Sequence, residues 1–136
     1  MTLTDTGPLV ALLDKNDGDH AICTSTAKRL RPGPLLTTWP CFTEAMYLLS
    51  KGNGTHAARR LWALQASGRL GLFDLTEAEI ARMVALMEMY EDCPMDLADA
   101  SLVAVAERLK LRQVFTLDAH FRIYRLADGT TLDVLP

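Results

Sequence analysis

The strongest constraint on this chain is a series of short apolar runs, each of strand length, separated by stretches with helical spacing. Residues 2–5 form the first run, cut off by Gly7-Pro8, and Leu35-Leu36-Thr37-Thr38 the second. Leu70 to Leu75, Gln113 to Leu117 and Thr131 to Leu135 supply three more, the last after an Asp128-Gly129 turn. Strands this short, alternating with helices, imply right-handed crossovers and hence a mostly parallel sheet covered on both faces. The expected fold is therefore α/β, a three-layer α/β/α sandwich around a short central sheet. With 136 residues, 49% of them hydrophobic, the chain suits a single domain spanning 1–136 with its own core.

Helix boundaries follow from local chemistry. Pro8 suits a first helical turn and leads into Leu9, Val10, Leu12 and Leu13. A turn at Asn16–Asp19 precedes a helix to about Arg29, where Arg31-Pro32-Gly33-Pro34 forces a loop. Pro40 opens a helix running from Cys41 to Lys51, which Gly52-Asn53-Gly54 stops, and Thr55 to Ser67 forms its partner. Thr76 is an N-cap with acids in the following turn, and Ile80, Met83, Val84, Met87 and Tyr90 make one apolar stripe expected to face the sheet or a dimer partner. Cys93-Pro94 ends that helix, and Asp96 to Leu109 forms another.

Several classes are disfavoured. A balance of 14 basic against 17 acidic residues gives no overall cationic field. Cys23, Cys41 and Cys93 have no CxxC or CxxH spacing, so neither a disulfide framework nor a zinc site is indicated, and a reducing cytoplasm fits best. The N-terminus lacks a basic signal-like region, and the longest uncharged run, Pro32 to Thr43, contains three prolines, so no membrane anchor is expected.

In parallel sheets, ligands collect beyond the carboxyl ends of the strands. Asp5 ends the first run, Glu44 lies early in the helix after the second, Asp99 early in the helix before the fourth, and Asp118 just after it. Helical phase places Glu44 with Cys41, Tyr47 and Leu48, and Asp96 and Asp99 with Leu102, Val103, Ala106 and Leu109, so core-facing acids are expected. Carboxylates gathered in one place must protonate or hold a cation, and an all-oxygen donor set favours Mg²⁺ or Mn²⁺. Each acid also has a local role open to it: Asp96 as a helix N-cap, Asp118 as a cap of the Ala119–Tyr124 segment, Asp5 as a turn residue. Capping gives Glu44 no such role.

Four segments then carry a family resemblance. Asp5-Thr6-Gly7-Pro8-Leu9-Val10-Ala11-Leu12-Leu13, Phe42-Thr43-Glu44-Ala45, Pro94-Met95-Asp96-Leu97-Ala98-Asp99-Ala100 and Thr116-Leu117-Asp118-Ala119-His120-Phe121 resemble, in order, the four motifs of PIN-domain nucleases, most nearly the VapC-type toxins. The resemblance implies a Mg²⁺- or Mn²⁺-dependent endoribonuclease acting on RNA, usually a homodimer and inhibited by a cognate antitoxin protein. Carried over residue by residue, Asp5, Glu44, Asp99 and Asp118 match the acidic quartet, Asp96 an auxiliary acid, and Thr116 and Thr6 the hydroxyls beside the site. Gly7-Pro8 is one variant among several at that position and leaves the subfamily open.

Setting aside Asp5, Glu44, Asp96, Asp99 and Asp118 moves the net charge from −3 to +2, so RNA binding is no longer disfavoured. Lys51, Arg59 and Arg60 could neutralise phosphates, although Arg59 and Arg60 fit a solvated helix face better. His56 and His120 read as surface residues, and Trp39 and Trp62 as core. A phosphoacceptor receiver would need an acid pair after the first strand and a lysine after the fifth, and the chain has neither. The remaining rival is a metal-free PIN-like module that binds RNA or protein without cleaving.

Overall fold

The computed structural model describes residues 1–51 and 55–136, so the Gly52-Asn53-Gly54 helix stop lies outside the described residues. The strands β1 (Thr2–Thr4), β2 (Leu35–Thr38), β3 (Leu70–Phe73), β4 (Gln113–Phe115) and β5 (Asp133–Leu135) form one sheet in the order β3-β2-β1-β4-β5. Every neighbouring pair is parallel, as helical crossovers require.

Register explains the two cores. Leu3 pairs with both Leu36 and Val114, so these three side chains share one face, while Leu35 pairs with Leu70 on the other. The Leu3 face is covered by α5 (Glu77–Met89) and α6 (Leu97–Leu109), which bring Met83, Leu86, Leu102, Val103 and Val105 against it. The Leu70 face is covered by α1 (Thr6–Leu13), α3 (Trp39–Lys51) and α4 (Thr55–Ala66) through Leu9, Phe42, Ala45, Leu49 and Leu61. Helix α2 (His20–Arg29) packs on α1 and buries Cys23 beside Phe115. The result is the expected three-layer α/β/α sandwich.

Helix α6 is buried continuously from Ala98 to Ala106, and its alanines let it lie close to the sheet. Gly71 in β3 answers a similar crowding, since a Cβ there would come within 2.9 Å of a Leu36 methyl. Helix α1 begins two residues before Pro8, because Asp5 leaves β1 directly as its N-cap.

The stripe expected on α5 is only half buried. Met83 lies inside and Met87 and Tyr90 are half-buried, but Ile80 is 49% and Val84 55% exposed. The buried arc runs instead through Glu79, Met83 and Leu86. Glu79 is drawn inward by its capping box with Thr76 and by Arg108 of α6 at 3.3 Å, which turns the Ile80 side outward. Helix α5 packs mainly on α6, so the covered arc is narrower than the apolar one.

Met83→Ala is expected to lower unfolding free energy by about 2–5 kcal/mol, and Val84→Ala by less than about 0.5 kcal/mol. Paired denaturant titrations check this, and equal losses would contradict the packing described.

Candidate active site

The acids stand where they do because helices begin at the carboxyl edge of a parallel sheet. Asp5 follows β1 and caps α1, its Oδ1 accepting from the Thr6 amide at 2.7 Å. Asp96 caps α6 in a reciprocal box: its Oδ1 accepts from the Asp99 amide at 2.8 Å, and Asp99 Oδ2 accepts from the Asp96 amide at 3.3 Å. Asp118 follows β4 and caps the 3₁₀ turn Ala119–Arg122 through the His120 amide at 2.9 Å. Glu44, in the second turn of α3, caps nothing, and its Oε2 accepts from Thr6 Oγ1 at 3.3 Å.

These five carboxylates line one cavity of about 320 Å³, together with Thr6, Gly7, Leu48 and Leu117. The cavity is graded in depth. Asp5 is 8% and Asp99 6% exposed, Asp118 is half-buried, and Glu44 and Asp96 stand at the rim. The expectation that Glu44 faces the core with Tyr47 and Leu48 is therefore corrected. The buried face of α3 is Cys41, Phe42, Ala45 and Leu49, and Glu44 shares the exposed face with Tyr47 and Leu48.

Neutral donors hold the acids. Thr116 Oγ1 donates to Asp5 Oδ2 at 2.7 Å and accepts from the Asp118 amide at 3.0 Å, joining the ends of β1 and β4. Cys41 Sγ reaches Asp5 Oδ1 and the Ala98 carbonyl, both at 3.8 Å. The Tyr124 hydroxyl, 2% exposed as a residue, donates to Asp99 Oδ2 at 3.1 Å. His120 Nδ1 lies 2.9 Å from Asp118 Oδ1. Among the described residues, no Lys, Arg or His lines the cavity itself.

This lack of compensation appears in the acidities. Burial pushes the Asp5 carboxyl above its usual range; the Thr116 and Thr6 hydrogen bonds oppose the shift, and Asp118 and Asp96 add to it. Burial, then the charges of Asp96 and Asp5, raise Asp99 to about 7. Burial and the neighbouring Asp5 push the Cys41 thiol up to about 12, so it is a neutral donor and not a thiolate.

Other sequence expectations fare unevenly. Lys51 lies over the Tyr47 ring at 4.3 Å, and Arg60 donates to the Leu13 carbonyl in a separate groove. Trp39 and Trp62 are not core residues. Each packs edge-on against Phe42 with a ring face left to solvent, and the Trp39 indole donates to Asp74 at 2.8 Å. Trp39, Tyr47, Leu75 and Leu97 border a shallow groove of about 780 Å³ that shares Glu44 and Asp96 with the acid cavity. Tyr124 was not singled out from sequence. Its only local signal is an aromatic spacing of three from Phe121, just after Asp118.

Comparison with known proteins fits this geometry. Ribonuclease VapC26 of Mycobacterium tuberculosis is 30% identical over 139 aligned residues, covering 98% of this chain and 99% of the relative. The crystal structure of Mycobacterium tuberculosis VapC20, described as a sarcin-ricin loop cleaving toxin, superposes with a TM-score of 0.84 at 18% identity and covers 100% of both chains. A toxin-antitoxin complex from Klebsiella pneumoniae superposes with a TM-score of 0.65 at 20% identity over 87% of each chain. The PIN domain profile matches residues 2–126, which takes in all five acids, and the chain belongs to the PIN domain family.

Proposed function

We propose that this protein is a divalent-metal-dependent endoribonuclease and the toxin of a toxin–antitoxin pair. The observation that carries this reading is the cavity itself: five carboxylates, two of them buried, with no lining cation among the described residues. Such an arrangement costs the metal-free fold stability and is useful only to a site that takes up positive charge. The similarity to a VapC ribonuclease over almost the whole of both chains supports RNA as the substrate.

The donor set suits Mg²⁺ or Mn²⁺. It is all oxygen, and its members line a wall instead of converging on a point: among the described residues, no group of three or more His, Cys, Asp or Glu is drawn tightly enough to clasp an ion alone. Magnesium keeps several waters and is usually held by one or two carboxylates plus substrate phosphate, which is what an open acidic cavity provides. Asp5, Glu44, Asp99 and Asp118 would hold the ion, with Asp96 at the rim. When bound, it supplies Lewis-acid stabilisation of phosphodiester charge and lowers the pKa of the attacking water.

The chain's own groups orient these ligands. Thr116 fixes Asp5 and the backbone of Asp118 together, and Thr6 steers Glu44. Asp96 or Asp118, each less buried than Asp5 and Asp99, would help orient the attacking water. The exposed apolar side chains of the adjoining groove, Trp39, Tyr47 and Leu97, support a homodimer. A cognate antitoxin is the second partner, as in the structurally similar toxin-antitoxin complex. Among the described residues no helix is long and apolar enough to cross a membrane, and we assign the protein to the cytoplasm as a single domain.

Asp5→Asn and Asp99→Asn are each expected to abolish Mg²⁺-supported RNA cleavage and leave the fold intact. Both donors to Asp99 fall on one oxygen, which the amide oxygen of Asn can replace. Wild-type cleavage rates in either variant would show that the acids are not the site.

Metal and pH test the same reading through stability. Unfolded, Asp99 has a pKa near 3.9, and in the metal-free fold it lies at about 7. Between these limits the folded protein holds a proton that the unfolded chain has released, so this contribution to stability falls as pH rises from about 4 to about 7. Asp99→Asn should remove the decline, raising metal-free stability at pH 8 by about 1 kcal/mol or more and leaving it little changed at pH 4. Mn²⁺ should stabilise the wild type at pH 8 by about 2.7 kcal/mol at a hundredfold excess over Kd. At pH 6.5 its binding should release protons, measurable by calorimetry in buffers of different ionisation enthalpy. Absence of both metal binding and thermal shift would favour the metal-free binding module.

A further inference from the structure

We infer that Tyr124 is a positioning residue for the acid cavity: its hydroxyl holds Asp99 so that one carboxylate oxygen stays free for a divalent cation. The inference rests on the metal-dependent nuclease reading and adds to it a residue outside the acidic motifs. Two donors reach Asp99, the Tyr124 hydroxyl at 3.1 Å and the Asp96 amide at 3.3 Å, and both fall on Oδ2. Among the described residues no donor reaches Oδ1, which is left to the cavity that Asp99 lines. The capping-box amide alone is long and leaves the carboxyl free to rotate; the second donor fixes which oxygen faces the cavity.

The tyrosine is itself held in place. The residue is 2% exposed, and its ring packs edge-on between Tyr90 at 5.1 Å and Phe121 at 5.3 Å. The Tyr90 hydroxyl in turn accepts from the Arg125 amide at 2.8 Å, pinning the segment just beyond Tyr124. A phenol is an uncharged hydrogen-bond donor at neutral pH. Neutrality matters here, because a Lys or Arg in the same place would satisfy the carboxylate electrostatically and compete with the ion. A phenol orients the ligand and leaves its charge available.

Tyr124→Phe removes only the hydroxyl and keeps the aromatic packing. Calorimetry of the metal-free variant with Mn²⁺ alone should show about ten-fold weaker binding than the wild type. Cleavage should need a correspondingly higher Mn²⁺ concentration yet approach the wild-type rate at saturation, since the hydroxyl touches neither substrate nor reacting atoms. In an Asp99→Asn background the same substitution should change Mn²⁺ binding no further. A second measurement needs no variant to fold: with ¹³C-labelled tyrosine, the Tyr124 Cζ resonance of the wild type should shift during Mg²⁺ titration, with the same midpoint as a Mg²⁺ calorimetric titration. Wild-type Mn²⁺ affinity in Tyr124→Phe, or a Cζ resonance unmoved by saturating Mg²⁺, overturns the inference while the nuclease reading stands. A wild type that binds no divalent ion overturns both.

Discussion

The buried carboxyl of Asp5, with no cation lining its cavity among the described residues, is the constraint around which the carboxyl edge of this sheet is built. Desolvating a carboxylate costs several kcal/mol unless it is paired. Its partners are neutral and come from different parts of the fold: the Thr6 amide at the start of α1, the Thr116 hydroxyl after β4 and the Cys41 thiol in α3. These donors favour the charged form, and burial, the larger effect, still raises its pKa. The ends of β1 and β4 and the first turns of α1 and α3 are thereby tied to one carboxyl that no cation pairs.

Two demands meet at this edge without conflict because a carboxylate has two oxygens. In a parallel sheet every following helix begins at the same side, and helix starts call for Asp at the N-cap. Asp5, Asp96 and Asp118 each fill that role with Oδ1, while Asp99 and Glu44 have Oδ2 and Oε2 tied by neighbours. Among the described residues Asp96, Asp99, Asp118 and Glu44 each keep one oxygen without a protein donor; in Asp5 both oxygens are anchored. Local capping therefore explains how Asp5, Asp96 and Asp118 are held, and the shared edge explains why the five acids line one cavity. The capping and ligand readings of Asp96 and Asp118, alternatives in the sequence, are compatible in three dimensions.

The strand pattern and the strand-end rule made the architecture and the gathering of the acids legible in the sequence. Burial was less legible, for a physical reason. Helical phase says which side chains share a face but not how much of that face a neighbour covers. Glu44, Tyr47 and Leu48 do share a face of α3, yet that face borders solvent, and Ile80 and Val84 lie beyond the reach of α6. A strand-end position for Trp39 and an apolar helix face for Trp62 read as core, whereas Phe42 is the buried ring and the indoles lean on its edges. The role of Tyr124 is not legible beyond its spacing from Phe121, because its link to Asp99 spans 25 residues and depends on how the 3₁₀ turn after Asp118 folds back onto α6.

The hydroxyls of Thr6, Thr116 and Tyr124 show how such a site persists at all. Each orients a carboxylate through a hydrogen bond, and none supplies a charge. A lysine at any of these places would pair with Asp5, Glu44 or Asp99 and fill the position a divalent ion needs. Neutral donors keep the negative charge intact, and with it the repulsion that costs the metal-free fold stability. That deficit is tolerable because the strands and helices carrying the acids are anchored elsewhere, by the continuous burial of α6 from Ala98 to Ala106 and by Leu3, Val114 and Phe115 in the central strands. The packing that makes the fold stable and the repulsion that would make the site reactive thus lie on the same elements, a few residues apart.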